Sequence, residues 1–285
     1  AFFLTAAAVS PRLGKWVEKV GWHKAMRVNV VCSALLAALI GPLARDVWSL
    51  GGLLVAGAIA YGISNPAANQ ALAQHTSPAR AATGFGIKHA GIPSSTLVAG
   101  LAAPAVVVHF GWRAAFFFAP LLAVVVWALI PRNLAVPQRD DEPVPQRARL
   151  SSSDLRRLAI VAALGAMAAG ALGTFLVTAA VESGLSEATA GWLQFAGSGA
   201  SISARLLAGI TVDRRGGVRL ALFTLLAAGT GAFVVLPWVT GAWFVVLVLL
   251  AYATGWGWPG LMTATVVGSD RNSAASRSAI TQAVV

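Results

Sequence analysis

Eight long apolar runs, separated by short polar turns, constrain this chain more than any other feature. They cover about 25–44, 48–74, 82–110, 112–130, 158–181, 188–212, 218–236 and 241–267. A helix crossing the hydrocarbon core needs about 20 mostly apolar residues, and each run approaches or exceeds that length. They are too long for the roughly 10-residue alternating segments of a membrane barrel. Apolar stretches at 1–9 and 279–285 read as parts of two further helices. The expected fold is all-α: a polytopic membrane protein with about eight complete spans and two partial ones.

Composition excludes the main alternatives. Of 285 residues, 57% are AVILMFWYC and 11% are charged, where a soluble domain carries about 25% charged residues. Too little polar surface is available for a soluble enzyme or a disordered chain. The single cysteine, Cys32, cannot form an intrachain disulfide. A net charge of +11 would point to nucleic acid in a soluble protein. Here the basic residues are spread between apolar runs, so the expected partner is the lipid bilayer and not nucleic acid.

Those basic residues fall on alternate connections. Segments 10–27, 131–157 and 205–219, with Arg80, Lys88, Arg271 and Arg277, hold nineteen of the 21. The intervening turns hold Arg45 and Arg113. By the positive-inside rule the nineteen are cytoplasmic. The turns near Asp46, Trp112, Ser183 and Thr240 are then external, with Trp48, Trp112, Trp238 and Trp243 as interfacial anchors. Trp16 and Trp22 read as anchors too, and His75 and His109 as solvated helix-end residues.

The longest polar stretch, 131–157, contains Pro137, Pro143, Pro145 and the acidic run Asp140–Asp141–Glu142. It reads as a cytoplasmic linker ending in a capping box, Ser151 to Asp154. It separates an N-terminal half, 1–130, from a C-terminal half, 158–285. The halves repeat. Gly14, Glu18, Lys19, Gly21 and Lys24 recur 195 residues later as Gly209, Asp213, Arg214, Gly216 and Arg219. Gly62 and Pro66 recur as Gly255 and Pro259, and Arg80 as Arg277. Duplicated helical halves are a transporter signature, with the solute site between them.

The motif has a local logic. Gly209 admits a neighbouring helix closely, Gly216 lets the chain reverse, and Asp213 with Arg214 meets the membrane boundary, where each charge needs a partner. The pattern serves either as a gate or as a plain turn. Gly197, Ser201, Arg205 and Gly209 share a helix face, with Arg205 projecting from small residues. Candidate solute contacts are Asn65 and Asn69, on one face of an apolar span, with Lys88, His89 and Trp256. Each has a bland counterpart: helix-to-helix amide bonds, aromatic packing, or a lysine snorkelling to the surface. An acid outside this sequence is the third reading for Lys88. Because Lys88, His89 and Arg205 are the strongly polar basic groups within or near the spans, the indicated substrate is an anion.

The same residues carry a family resemblance. Gly209–Arg219 resembles the signature between the eighth and ninth helices of the major facilitator superfamily, and Gly14–Lys24 resembles the weaker copy between its second and third. Phe110-Gly-Trp-Arg113-Ala-Ala-Phe116 resembles its turn between helices five and six. Phe85-Gly-Ile-Lys88-His89-Ala-Gly91-Ile-Pro93 resembles a fifth-helix start in its cyanate- and organic-anion-transporter-like branches. The resemblance implies two pseudo-symmetric halves of an expected twelve helices. The first half would run from partial helix two to helix six, and the second from helix seven to the start of helix eleven. It implies alternating access, a path lined by the first, fourth, seventh and tenth helices, and a loop whose charges pair across the halves.

The expected function is therefore secondary active or facilitated transport of a small organic solute across the cell membrane. A non-transporting receptor or scaffold and an intramembrane enzyme are the alternatives. No ATP-binding loop, zinc-protease or hydrolase motif is present, so neither an enzyme nor a metal or cofactor is expected. The coupling ion and the oligomeric state stay open.

Overall fold

The computed structural model of the chain describes residues 2–102, 106, 108–131, 150–269 and 274–282. Among them there are helices and turns, and no strand. In order they are α1 (Phe2–Val20), α2 (Trp22–Leu43), α3 (Val47–His75), α4 (Ala81–Ala102), α5 (Val108–Phe110), α6 (Trp112–Ala115), α7 (Phe118–Leu129), α8 (Ser152–Glu182), α9 (Glu187–Arg215), α10 (Val218–Val235), α11 (Gly241–Gly255), α12 (Pro259–Ser269) and α13 (Ala274–Gln282).

Seven stretches among the described residues are long and apolar enough to cross a membrane: Trp22–Leu43, Val47–His75, Trp112–Leu129, Ser152–Glu182, Ala188–Arg215, Val218–Trp238 and Gly241–Ser269. Their outward side chains are large and apolar, as lipid requires; Leu121, Val124 and Leu129 of α7 are exposed, and so are Trp48, Trp238 and Trp243. The expected span at 82–110 corresponds to α4 and α5, with residues 103–105 and 107 outside the described ones. Two expected spans are interrupted. The run 112–130 contains a turn at Phe116–Phe117, and 241–267 is broken at 256–258, between α11 and α12. The second break has a plain cause: Gly255-Trp-Gly-Trp-Pro259 combines two flexible glycines with a proline that cannot donate to a preceding turn.

Helix starts follow local chemistry. Ser151 and Asp154 form the expected reciprocal box: the Asp154 N–H donates to Ser151 Oγ at 3.1 Å, and the Ser151 N–H to Asp154 Oδ2 at 3.3 Å. Asp46 Oδ1 accepts the N–H groups of Trp48 and Ser49, both at 2.8 Å, and so starts α3. Ser186 Oγ does the same for α9, accepting from Thr189 N–H at 3.2 Å. The expected linker lies, over 132–149, outside the described residues.

The chain packs as two compact units, neither continuous in sequence. The first comprises Ala1–His75, Leu101–Ala159 and Val266–Val285; the second comprises Thr76–Gly100 and Ile160–Thr265. In the first, Val17, Trp22, Ala25, Ile63, Ala67 and Ala275 form a buried cluster that ties α1, α2 and α3 to α13. Trp22 is thus a core residue and not the expected interfacial anchor. His75 is also not free in solvent: its ring meets Trp22 edge-on at 5.4 Å, with Nε2 buried. In the second unit, Leu172, Leu176, Leu193, Phe244, Val248 and Tyr252 join α8, α9 and α11.

Candidate functional site

The repeated glycine–acid motif has the same geometry in both units. In the first, a Cβ on Gly14 would lie 2.9 Å from Ala275 O, so only glycine lets α1 meet α13 this closely. One turn on, Glu18 Oε1 accepts the Ser276 N–H of α13 at 2.8 Å. In the second, a Cβ on Gly209 would lie 2.8 Å from Ala82 O. Asp213 Oδ1 and Oδ2 accept the N–H groups of Ala82 and Thr83 at 3.0 and 2.7 Å. Each acid therefore serves first-turn N–H groups that have no helical partner, where a negative charge is favoured. The helices end at Gly21 (φ 83°) and Gly216 (φ 71°), in a conformation that suits glycine. Lys19, Arg214 and Arg219 remain exposed.

A cavity of about 250 Å³ lies inside the second unit. Gly170, Gly173 and Thr174 of α8 line one part of it; Gln194, Ser198, Ser201 and Arg205 of α9 give it polarity. Tyr252 and Trp256 supply aromatic walls, and Ile92 and Pro93 of α4 line the remainder. Arg205 is 2% exposed. Its Nε donates to Trp256 O at 2.7 Å, and Nη1 donates to His89 O. The guanidinium lies 5.8 Å from the centre of the Trp256 ring. Among the described residues Nη2 has no protein acceptor, and no carboxylate pairs with Arg205.

The rest of the cavity's polar lining is mixed: the Thr174 and Ser198 hydroxyls donate to the carbonyls of Gly170 and Gln194 and so present acceptor oxygens, while Gln194 and Ser201 keep donors. The Tyr252 hydroxyl donates to Gln194 Oε1 at 2.8 Å, which leaves the Gln194 amide N–H groups for the cavity. The Ser201 hydroxyl is buried with no partner among the described residues. Among the described residues lining the cavity, Arg205 is the one that is charged. A partly aromatic wall with one cation and a few free donors complements a solute that brings an acceptor group and negative charge.

The candidates read from sequence are divided by the structure. Trp256 lines the cavity, held by its indole N–H donating to Ala169 O at 3.0 Å. His89 is buried; Nε2 meets Thr263 Oγ1 at 3.0 Å, while the Thr263 hydroxyl donates to Pro259 O. Lys88 is half-buried and does not line this cavity. Asn69 is fully buried in the first unit with both amide atoms unpartnered, and Gln70 Oε1 is unpartnered beside it. Asn65 is half-buried on the same helix. Gln194, Thr174 and Tyr252 were not singled out by sequence. Their only signal was polarity inside an apolar span, shared by many helix-bonding residues.

Apolar spans, a repeated helix–loop motif and a cavity with a buried cation on its wall define a polytopic membrane transporter. The family model of the Major Facilitator Superfamily matches residues 1–285, and the chain belongs to that superfamily. No curated protein matches it in sequence. Among solved structures it is similar to the human organic anion transporter MFSD10 (TETRAN), at 17% identity and a TM-score of 0.75, covering 100% of this chain and 74% of that one. It is similar to the transporter FucP in the outward conformation, at 15% identity and a TM-score of 0.67, covering 98% and 78%. A bacterial homologue of the iron transporter ferroportin, in an outward-facing state, gives 15% identity and a TM-score of 0.64, covering 99% and 78%.

Proposed function

We propose that the full-length protein is a secondary active transporter or facilitator that carries a small organic anion by alternating access. The observation that carries this reading is Arg205, a buried cation in a membrane-spanning helix, at a cavity wall, with no carboxylate beside it among the described residues. A charge at the centre of a span costs about 2.5–3.5 kcal/mol on insertion scales. A solute carboxylate on Nη2 supplies the missing countercharge, and Gln194 and Ser201 supply further donors. Of the three basic groups that the sequence points to, Lys88, His89 and Arg205, it is Arg205 that lines the cavity. The human relative MFSD10 is an organic anion transporter, which accords with that charge.

In this reading Glu18 and Asp213 belong to the gate, their bonds to Ser276 and to Ala82 and Thr83 being broken and remade in each cycle. Gly14, Gly21, Gly209 and Gly216 shape those loops; Lys19, Arg214 and Arg219 supply the cytoplasmic charge. Asn65 and Asn69 contribute amides to the solute path. The protein resides in the cell membrane with 131–157 in the cytoplasm. A cytoplasm-only reporter fused at Gln138 is expected to be active and one at Ser183 silent; the reverse overturns the orientation.

The function is tested by uptake into proteoliposomes holding the full-length protein. Radiolabelled benzoate is expected to enter faster than its uncharged analogue benzamide, and Arg205→Gln to abolish the difference. Equal uptake of the two solutes, or an Arg205→Gln protein with unchanged benzoate uptake, overturns the anionic substrate.

A further inference from the structure

The two carbonyls that Arg205 holds share a cause. In a helix the carbonyl of residue 89 accepts the N–H of residue 93. Residue 93 is proline, which has no N–H and whose ring pushes the carbonyl four residues back aside. His89 O is thus an orphan in the middle of α4, and Arg205 Nη1 donates to it. Trp256 O lies in the non-helical link between α11 and α12, and Arg205 Nε donates to it. The carbonyl that Pro259 leaves without a donor, that of Gly255, is taken instead by the Trp258 indole N–H at 2.8 Å.

The backbone around Arg205 is closely packed. A Cβ on Gly86 would sit 2.7 Å from Arg205 O, and one on Gly260 would sit 3.0 Å from Gly86 Cα. α4, α9 and α12 therefore meet main chain to main chain beside Arg205. Arg205 lines the cavity, and with Nε and Nη1 committed to carbonyls, Nη2 is the guanidinium nitrogen left to meet a solute.

We propose that Pro93 is a positioning residue: by stripping His89 O of its helical donor it draws Arg205 Nη1 to α4 and so aims Nη2 at the solute. The same arrangement restricts the site to singly charged anions, a conclusion that rests on the anionic reading above. One cation lines the cavity, and part of its donor set is committed to the main chain. A second carboxylate would meet no further cation among the described residues that line the cavity, Lys88 not being one of them, and few free donors.

The test uses purified full-length protein at pH 8 and three probes: benzoate, the dianion phthalate, and monomethyl phthalate, which matches phthalate in bulk but carries one charge. Benzoate and monomethyl phthalate are expected to bind, phthalate about tenfold more weakly, and Arg205→Gln to bind none. Pro93→Ala returns an N–H to His89 O and releases Nη1. It is expected to bring the preference for monomethyl phthalate over phthalate down to about twofold, and Pro93→Gly, which restores the same N–H, should do likewise. A purely structural proline would not alter that ratio. A double-mutant melting cycle provides the readout that needs no anion: Arg205→Gln should lower Tm less in the Pro93→Ala background than in the wild type. Phthalate binding as tightly as its monomethyl ester overturns the charge limit. An unchanged preference with an additive cycle overturns the role of Pro93. A wild type that binds no anion but shows a non-additive cycle overturns the anionic substrate and leaves the Pro93–Arg205 link standing.

Discussion

Asp213 Oδ2 accepts the main-chain N–H of Thr83 at 2.7 Å, across 130 residues of sequence. Glu18 makes the matching bond to Ser276 in the other unit. In each case a carboxylate from one sequence half receives the first turn of a helix from the other. Asp213→Asn keeps the shape and one acceptor but removes the charge and one of two acceptor oxygens. Loss of a charge-assisted bond is worth about 1.5–3 kcal/mol, and the loop is remote from the cavity. Uptake turnover in the full-length protein is expected to fall about tenfold while KM stays within about twofold. A variant with wild-type turnover would show that the loop is only a turn.

Gly209→Ala should be destabilising in spite of alanine's better helix propensity. Its Cβ would approach the Ala82 carbonyl oxygen to 2.8 Å and Thr83 Cα to 2.9 Å, both main-chain atoms. Overpacking of this kind costs about 1–3 kcal/mol. Gly199 lies on the same helix with nothing within 4 Å of its ideal Cβ. Gly199→Ala should leave Tm unchanged or raise it, whereas Gly209→Ala lowers it. Equal melting of the two variants would refute the close helix contact.

Asn69 buries both amide atoms without partners. Each such atom costs about 1–3 kcal/mol in the folded state. Asn69→Leu is similar in volume and removes both, so the expected result is a higher Tm together with slower uptake, since the amide is retained for the solute path. A variant that is stabler and fully active would reduce Asn69 to an unneeded packing residue.

Asp46 titrates outside the spans. The Ser49 N–H, followed by the Trp48 N–H and the Ser49 hydroxyl, holds its carboxyl below the ordinary range. A depressed acid contributes stability above its unfolded pKa and loses it as pH falls through the folded value. The Tm difference between wild type and Asp46→Ala should therefore persist at pH 6 and shrink below about pH 4. A difference that is constant down to pH 3 would exclude the carboxylate as the cap's charge.

Sequence alone determined the features that depend on near neighbours. Run length and hydropathy specified the spans, because an α-helix satisfies its own backbone in lipid. The Ser151–Asp154 box was readable because its two partners are three residues apart. The glycine–acid repeat was readable because turning back at a membrane surface demands the same residues each time. Tertiary structure decided everything that joins distant segments. It placed Trp22 in a core and not at an interface, since α3 and α13 cover it. It brought Arg205 to the carbonyls at His89 and Trp256, 116 and 51 residues away. Sequence could name Lys88, His89 and Arg205 as the basic groups of the spans but not choose among them. Which cation meets the cavity depends on the rotation of α4 and α9 about their axes and on how closely Gly86 and Gly209 let them approach. Those quantities belong to packing between helices, and no local pattern encodes them.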